Sequence, residues 1–169
     1  MTIIYRILLV LLLTLLIDFL ITSKLKTKIF LDNWVAKHFV FKGYYTIMLF
    51  GFILTKCKSL KASTMVYERI HSRQWMELTA LFLSINIVLL TFRDITLGAF
   101  LIGIIGSILS FYIIYVIEWL IRVAINKFKA DNTAYHNISF EREAYGNQDN
   151  TTYLEKRVPF NFIKYYFKK

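Results

Sequence analysis

Three long apolar runs constrain this chain more than any other feature. Ile3–Thr22 is twenty residues long, Leu78–Phe92 fifteen, and Ile95–Ile121 twenty-seven. A helix rises about 1.5 Å per residue, so roughly twenty residues cross the ~30 Å hydrocarbon core of a bilayer. The first and third runs meet that length alone. The second meets it by continuing backward as a helix through Tyr67-Glu68-Arg69-Ile70-His71. The first run exceeds the apolar region of a signal peptide and has no small-residue cleavage site, so it reads as a retained transmembrane helix. Arg6 lies near its start and Asp18 interrupts it. In the third run Gly98, Gly103, Gly106, Ser107 and Ser110 allow close helix packing. Arg93-Asp94 reads as a tight turn between the second and third spans.

Composition agrees. The chain is 57% hydrophobic with a mean hydropathy of +0.50, against about 45–50% apolar for an ordinary soluble domain. The net charge is +10. The basic residues flank apolar segments and form no stripe along a polar helix. The bilayer and its anionic headgroups are therefore the implied partner, and nucleic acid is not. Aromatic residues cluster beside these lysines and arginines, where interfacial anchors belong. Cys57 is the single cysteine, which excludes an intramolecular disulfide and a cysteine-based zinc site.

These patterns predict a mainly α integral membrane protein with about three transmembrane helices and a helical cytoplasmic tail. One membrane domain covers 1–169. It comprises an N-terminal transmembrane helix (1–22), a basic segment with a hairpin (23–62), a motif helix with two spans (63–122) and the tail (123–169). Within the basic segment, Gly43–Thr55 is too short to cross a bilayer as a straight helix. Together with the alternation around Phe39-Val40-Phe41, it reads as a strand or hairpin, or a re-entrant piece. In the tail, Asn137 or Ser139 is placed to cap a helix carrying Glu141 and Glu143. Thr152-Tyr153-Leu154-Glu155 has the form of a capping box for the next helix, and Pro159 marks that helix's end. The final Phe160–Lys169 mixes aromatics with lysines, as a surface-lying segment does. Residues 23–77 carry ten Lys/Arg against three Asp/Glu, and residues 122–169 nine against five. With three spans both basic segments face the cytoplasm and the N-terminus lies outside, in a bacterial cytoplasmic membrane.

One consequence is chemical. Glu68, His71, Glu141 and Glu143 come out near the same membrane face. Glu68 and His71 have the spacing of the last four positions of a zinc-protease His-Glu-x-x-His helix. There, two histidines four residues apart share a metal on one helical face, and the glutamate acts as general base. Tyr67 stands where the first histidine belongs. A phenol with a pKa near 10 competes poorly for zinc at neutral pH. His136, five residues before Glu141, is a candidate substitute ligand. Glu77, farther along the same helix, needs a partner in the membrane, with Arg73 and Arg122 as candidates. Glu118 lies beside Trp119 and Arg122 in an interfacial position.

Longer segments carry a resemblance. They are Gly43–Leu54, Glu68-Arg69-Ile70-His71-Ser72-Arg73-Gln74 with Glu77-Leu78, Tyr115–Arg122, and Ala134–Tyr145 with Tyr153-Leu154 and Lys164-Tyr165 after it. Over roughly residues 39–166 the chain resembles small bacterial membrane proteins with an HExxH-like motif, written Asn-His-Glu-x-Ile-His-x-x-Gln, and a downstream Phe-Glu-x-Glu-Ala-Tyr. Those in turn resemble gluzincin membrane metallopeptidases, the group of CAAX-prenyl endoproteases and heat-shock membrane proteases. The resemblance implies Glu141 as the third ligand and Glu143 as its neighbour, with Tyr145 in place of an aspartate. Val66-Tyr67 departs from the family's Asn-His. Two readings stay open. In one, the chain is a zinc peptide hydrolase: Glu68 is catalytic, His71, Glu141 and either Tyr67 or His136 hold zinc, and the substrate is a membrane-proximal peptide. In the other, it is a non-catalytic relative acting as a multi-span membrane scaffold or binding protein.

Overall fold

The computed structural model describes residues 3–24, 27–40, 42–92, 96–126 and 132–167. The expected Arg93-Asp94 turn, Phe41 and the last two lysines lie outside the described residues. In chain order the elements are α1 (Ile3–Lys24), β1 (Ile29–Phe30), α2 (Trp34–Phe39), β2 (Thr46–Leu49), β3 (Phe52–Thr55), α3 (Ala62–Phe92), α4 (Leu97–Ile125), α5 (Asn132–His136), α6 (Ser139–Asn147), α7 (Tyr153–Lys156) and α8 (Phe162–Phe167). The protein is mainly helical with one small sheet. Three helices, α1, α3 and α4, are long and apolar enough to cross a membrane. The second apolar run does continue backward, so α3 reaches 31 residues, about 46 Å at the helical rise.

The chain divides into two compact units, each built from two stretches: 1–26 with 75–113, and 27–74 with 114–169. In the first unit α1 is inverted relative to a soluble helix. Its buried side chains are Thr14 and Asp18, one turn apart, while Leu8, Leu11, Leu12, Leu15, Leu16 and Phe19 are exposed. A helix in water would turn its leucines inward and its aspartate outward. Thr14 and Thr22 return their hydroxyls to the carbonyls of Val10 and Asp18 on the same helix. Arg6 sits over the Phe92 ring at 5.2 Å. Between α3 and α4 the contact is polar and close. The Asn86 amide donates to the Gly103 carbonyl at 2.9 Å and the Ser107 hydroxyl at 2.8 Å, and Trp75 Nε1 donates to the Ile108 carbonyl at 2.9 Å. A side chain at Gly103 would place its Cβ 2.2 Å from Asn86 Oδ1. The small residue there is a packing requirement, as expected where apolar surroundings offer no alternative partner for an amide.

The second unit holds the sheet and the tail helices. Within Gly43–Thr55 the hairpin is the form adopted. Strands β2 and β3 pair antiparallel, with Thr46 opposite Thr55 and Leu49 opposite Phe52. The two-residue loop Phe50-Gly51 has positive φ at both positions, +50° and +79°, a twist that suits a tight hairpin. β1 joins β3 in parallel, Ile29 opposite Ile53, which leaves β2 at one edge. The sequence pattern predicts neither β1 nor α2. Phe39 closes α2, and Val40 is its extended C-cap; the alternation around them is not part of the hairpin. A local signal was present all the same: Asn33 caps α2 by accepting the Ala36 N–H at 3.2 Å.

Two caps differ from expectation. Helix α6 begins at Ser139 with Ile138 as N-cap and no cap from its own side chains. Glu118, far away in sequence, takes both the Ser139 N–H (2.7 Å) and its hydroxyl (2.6 Å). Glu118 is therefore buried and structural, and Arg122, one turn on, pairs with it at 3.1 Å. Thr152 precedes α7 but makes no cap bond, because its N–H and hydroxyl both turn back to the Asn150 side chain. Helix α7 ends at Lys156, with Arg157 as C-cap, before Pro159 is reached.

The Gly103 contact sets a testable expectation. Gly103→Ala should lower stability by about 1–2 kcal/mol, because Asn86 must leave its partners across the helix pair, and each such bond between apolar helices is worth of order 0.6 kcal/mol. Gly106→Ala, where an added Cβ meets nothing within 4 Å, should be neutral in the same thermal melts of detergent-solubilised protein.

Candidate functional site

Tyr67, His71 and Gln74 fall at i, i+4 and i+7 on α3, so one helical face presents all three. Across from them lies α6. Its two glutamates are two residues apart and so point to different sides of the helix. Both are buried, which means α6 is covered on opposite faces and each carboxylate needs its own set of donors.

Glu141 faces Tyr67, His71 and Tyr115. The Tyr67 hydroxyl donates to Oε2 and the Tyr115 hydroxyl, from α4, to Oε1 at 2.6 Å. His71 Nε2 lies 3.4 Å from Oε1, an ion pair when the ring is protonated. The Tyr135 hydroxyl adds a 3.0 Å contact to that of Tyr67. Burial by itself would raise the Glu141 carboxyl, but His71 and the two phenols hold it below its ordinary value. Tyr135 shifts the other way: burial, and then the neighbouring Glu141 charge, push its phenol up.

Glu143 faces the tail. Arg157 binds it with both prongs, Nε to Oε1 at 2.6 Å and Nη2 to Oε2 at 3.1 Å. The two side chains are 1% and 0% exposed. Tyr153 donates to Oε1 at 2.7 Å, and Gln74 Nε2 to Oε2 at 2.9 Å. Burial again opposes the charge, and the Arg157 guanidinium, with Gln74 and Tyr153, holds the carboxyl below its ordinary value.

Gln74 joins the two halves. Its Nε2 faces only acceptors, the Phe140 carbonyl at 3.2 Å and Glu143, which settles the amide orientation. Its Oε1 must therefore accept, and it lies 2.8 Å from His71 Nδ1. His71 donates from Nδ1, and its Nε2 is left facing Glu141. Tyr67 packs edge-on to the His71 ring at 4.6 Å, and the Val66, Ile70 and Ala144 side chains seal the cluster with Tyr67, Tyr153 and Leu154 against it.

The fold thus brings Tyr67, His71 and Glu141 into one polar cluster. Glu68 is buried beside it and accepts from the backbone of Met48 on the edge strand β2. His136 is not brought in. It is exposed and packs edge-on to Tyr145 at 4.6 Å, whose ring in turn lies 4.9 Å from Tyr67. Burial pushes the Tyr145 phenol up. Glu77 is fully buried on α3, and Arg122, one of its two expected partners, pairs with Glu118 instead.

The donor set does not fit a tetrahedral zinc ion. Two of the side chains in the cluster, His71 and Glu141, are of ligating type and converge. The third, the Tyr67 phenol, donates a hydrogen bond to Glu141 instead of offering a lone pair alongside it. Both carboxylate oxygens already accept from phenols. Among the described residues no group of three or more His, Cys, Asp and Glu side chains is disposed to hold a metal. Gln74, Tyr115, Tyr135, Tyr153 and Arg157 join the site beyond the residues that the sequence pattern predicts. Gln74 had a usable signal, the i+3 spacing from His71. Tyr115 and Arg157 reach the cluster only through the fold.

Compared with family models, with curated proteins and with solved structures, the chain matches none.

The Glu143–Arg157 pair gives two expectations. Arg157→Gln leaves a buried carboxylate uncompensated and should cost about 3–5 kcal/mol, read as a lowered melting temperature. The depressed Glu143 carboxyl contributes stability above the ordinary glutamate value of about 4.3 and loses it as pH falls through the lower folded value. Melting temperature should hold from pH 7 to about 5 and drop below about 4. A flat profile down to pH 3 would contradict the pairing.

Proposed function

We propose that this protein is a membrane-embedded, zincin-like protein of the gluzincin type that does not catalyse hydrolysis and acts instead as a membrane scaffold or peptide-binding protein. The observation that carries the reading is the Tyr67 hydroxyl donating to Glu141. Tyr67 occupies the first-ligand position of the motif and Glu141 the third. In a metallopeptidase a cation would compensate that carboxylate. Here two phenols and an imidazole do so, and a phenol with an ordinary pKa near 10 keeps its proton at neutral pH. The general-base position is likewise engaged, since Glu68 accepts from the Met48 backbone. The zincin spacing is retained while Tyr67 and His71, two of the groups that would hold a metal, both face the third, Glu141.

Integral membrane residence belongs to the same reading. The inward Thr14 and Asp18 and outward leucines of α1 support lipid contact. The excess of Lys/Arg in 23–77 and 122–169 supports a cytoplasmic face for the cluster and an outward N-terminus, in a bacterial cytoplasmic membrane.

Metal content tests the proposal. Protein purified without chelator, together with its Tyr67→His variant, is assayed for zinc by mass spectrometry. The expectation is well under one zinc per chain in the unmodified protein and near one in the variant, which gains the missing imidazole four residues from His71. Stoichiometric zinc in the unmodified protein would overturn the non-catalytic reading. Zinc in neither would overturn the zincin-like geometry.

A further inference from the structure

Away from the tyrosine–carboxylate cluster, the second unit contains a cavity of about 380 Å³ at the C-terminal end of α4. Its polar lining includes Arg122, Arg142, Asn126 and Asn137, and its apolar lining includes Ile125 and Phe167. No acidic side chain lines it among the described residues. Glu118 bonds Arg122 but does not line the cavity, and it is further committed to the Ser139 N–H and hydroxyl. The Arg122 guanidinium is held in place. It lies 4.9 Å from the centre of the Tyr166 ring and donates to the Tyr166 carbonyl at 3.4 Å. Its buried Nε has no hydrogen-bond partner among the described residues. A preorganised arginine, a second arginine and two amides form a set of donors suited to phosphate oxygens.

The surroundings select the kind of phosphate. Ile125 and Phe167 are 71% and 78% exposed, and α4 continues from the cavity with exposed Ile121, Leu120 and Ile117. The donors sit where an apolar candidate span ends, the depth of lipid headgroups. We propose that this cavity binds a phosphate ester of net negative charge, with the headgroup phosphate on Arg122 and Arg142 and any acyl chain along the exposed face of α4. The site differs from the general attraction of surface lysines to an anionic membrane because it is concave and lined by residues of α4, α5, α6 and α8.

The full-length protein in a neutral detergent is titrated with short-chain phosphatidylglycerol and, separately, with inorganic phosphate, and bound ligand is counted by native mass spectrometry. One phosphatidylglycerol per chain is expected. Arg142→Gln should weaken binding about fivefold, the weight of one arginine against an anionic headgroup. Thr133→Trp, which fills the cavity from its rim and keeps both arginines, should remove binding, whereas Lys37→Gln, in the separate Asp32 pair, should leave it unchanged. Melting temperatures of the variants separate lost binding from lost folding. Inorganic phosphate bound as tightly as the lipid, with the same pattern of variants, identifies a soluble phosphate ester as the ligand. Lipid binding that exceeds phosphate binding identifies the headgroup. Wild-type affinity in folded Arg142→Gln and Thr133→Trp, or equal losses in Arg142→Gln and Lys37→Gln, would overturn the proposal.

Discussion

The second unit depends on burying two carboxylates two residues apart on one short helix. An ionised carboxylate removed from water costs several kcal/mol unless donors replace its hydration. Glu141 and Glu143 point to opposite sides of α6, so no single neighbour can serve both. The chain answers with two donor sets drawn from three regions: Tyr67, His71 and Gln74 on α3, Tyr115 on α4, and Tyr153 and Arg157 in the tail. The helices are held where these donors can reach. Removing one donor leaves charge exposed to a low-dielectric interior, which is why polar networks of this kind resist piecemeal change.

Gln74 couples the two sets. Because its amide can donate only toward Glu143 and Phe140, it can accept only from His71. The orientation of the His71 ring is thereby tied to an ion pair in the tail that it never touches. In a metal site the same job, fixing which imidazole nitrogen faces the centre, falls to a hydrogen bond from outside the ligand shell. Here the Gln74–His71 bond has the same form around a centre in which a tyrosine hydroxyl meets the glutamate directly. Under the proposed reading, one substitution, histidine to tyrosine at position 67, exchanges metal coordination for hydrogen bonding while the supporting shell remains.

The two units follow different rules. In the first, Thr14 and Asp18 are the buried side chains of α1, and the Asn86 amide bonds across the α3–α4 pair to Gly103. In the second, aromatic packing such as Phe140 against Phe162 at 4.5 Å encloses a network of fully buried charges. Helix α3 takes part in both, with residues 62–74 in one unit and 75–92 in the other. The change in its surroundings matches the change in its sequence from Tyr67–Gln74, rich in polar groups, to the apolar Leu78–Phe92.

The sequence by itself determined the long helices and the face of α3 that carries Tyr67 and His71, and it narrowed Gly43–Thr55 to a strand, a hairpin or a re-entrant piece. Each of these is written in local pattern: an apolar run of membrane length, polar groups at i and i+4, and an apolar run too short to cross a bilayer. The approximate places of the tail helices were legible for the same reason. Only the tertiary structure decided what those groups bond to. Glu118 capping α6, Arg157 neutralising Glu143, Tyr115 reaching Glu141, and His136 packing edge-on to Tyr145 all join residues distant in sequence or placed by packing. The expected caps at Ser139 and Thr152 failed because stronger partners, a buried carboxylate and the Asn150 side chain, competed for the same donors. Residue identity and spacing limit the bonds a side chain can make; which of them it makes depends on what the fold sets within about 3 Å of it.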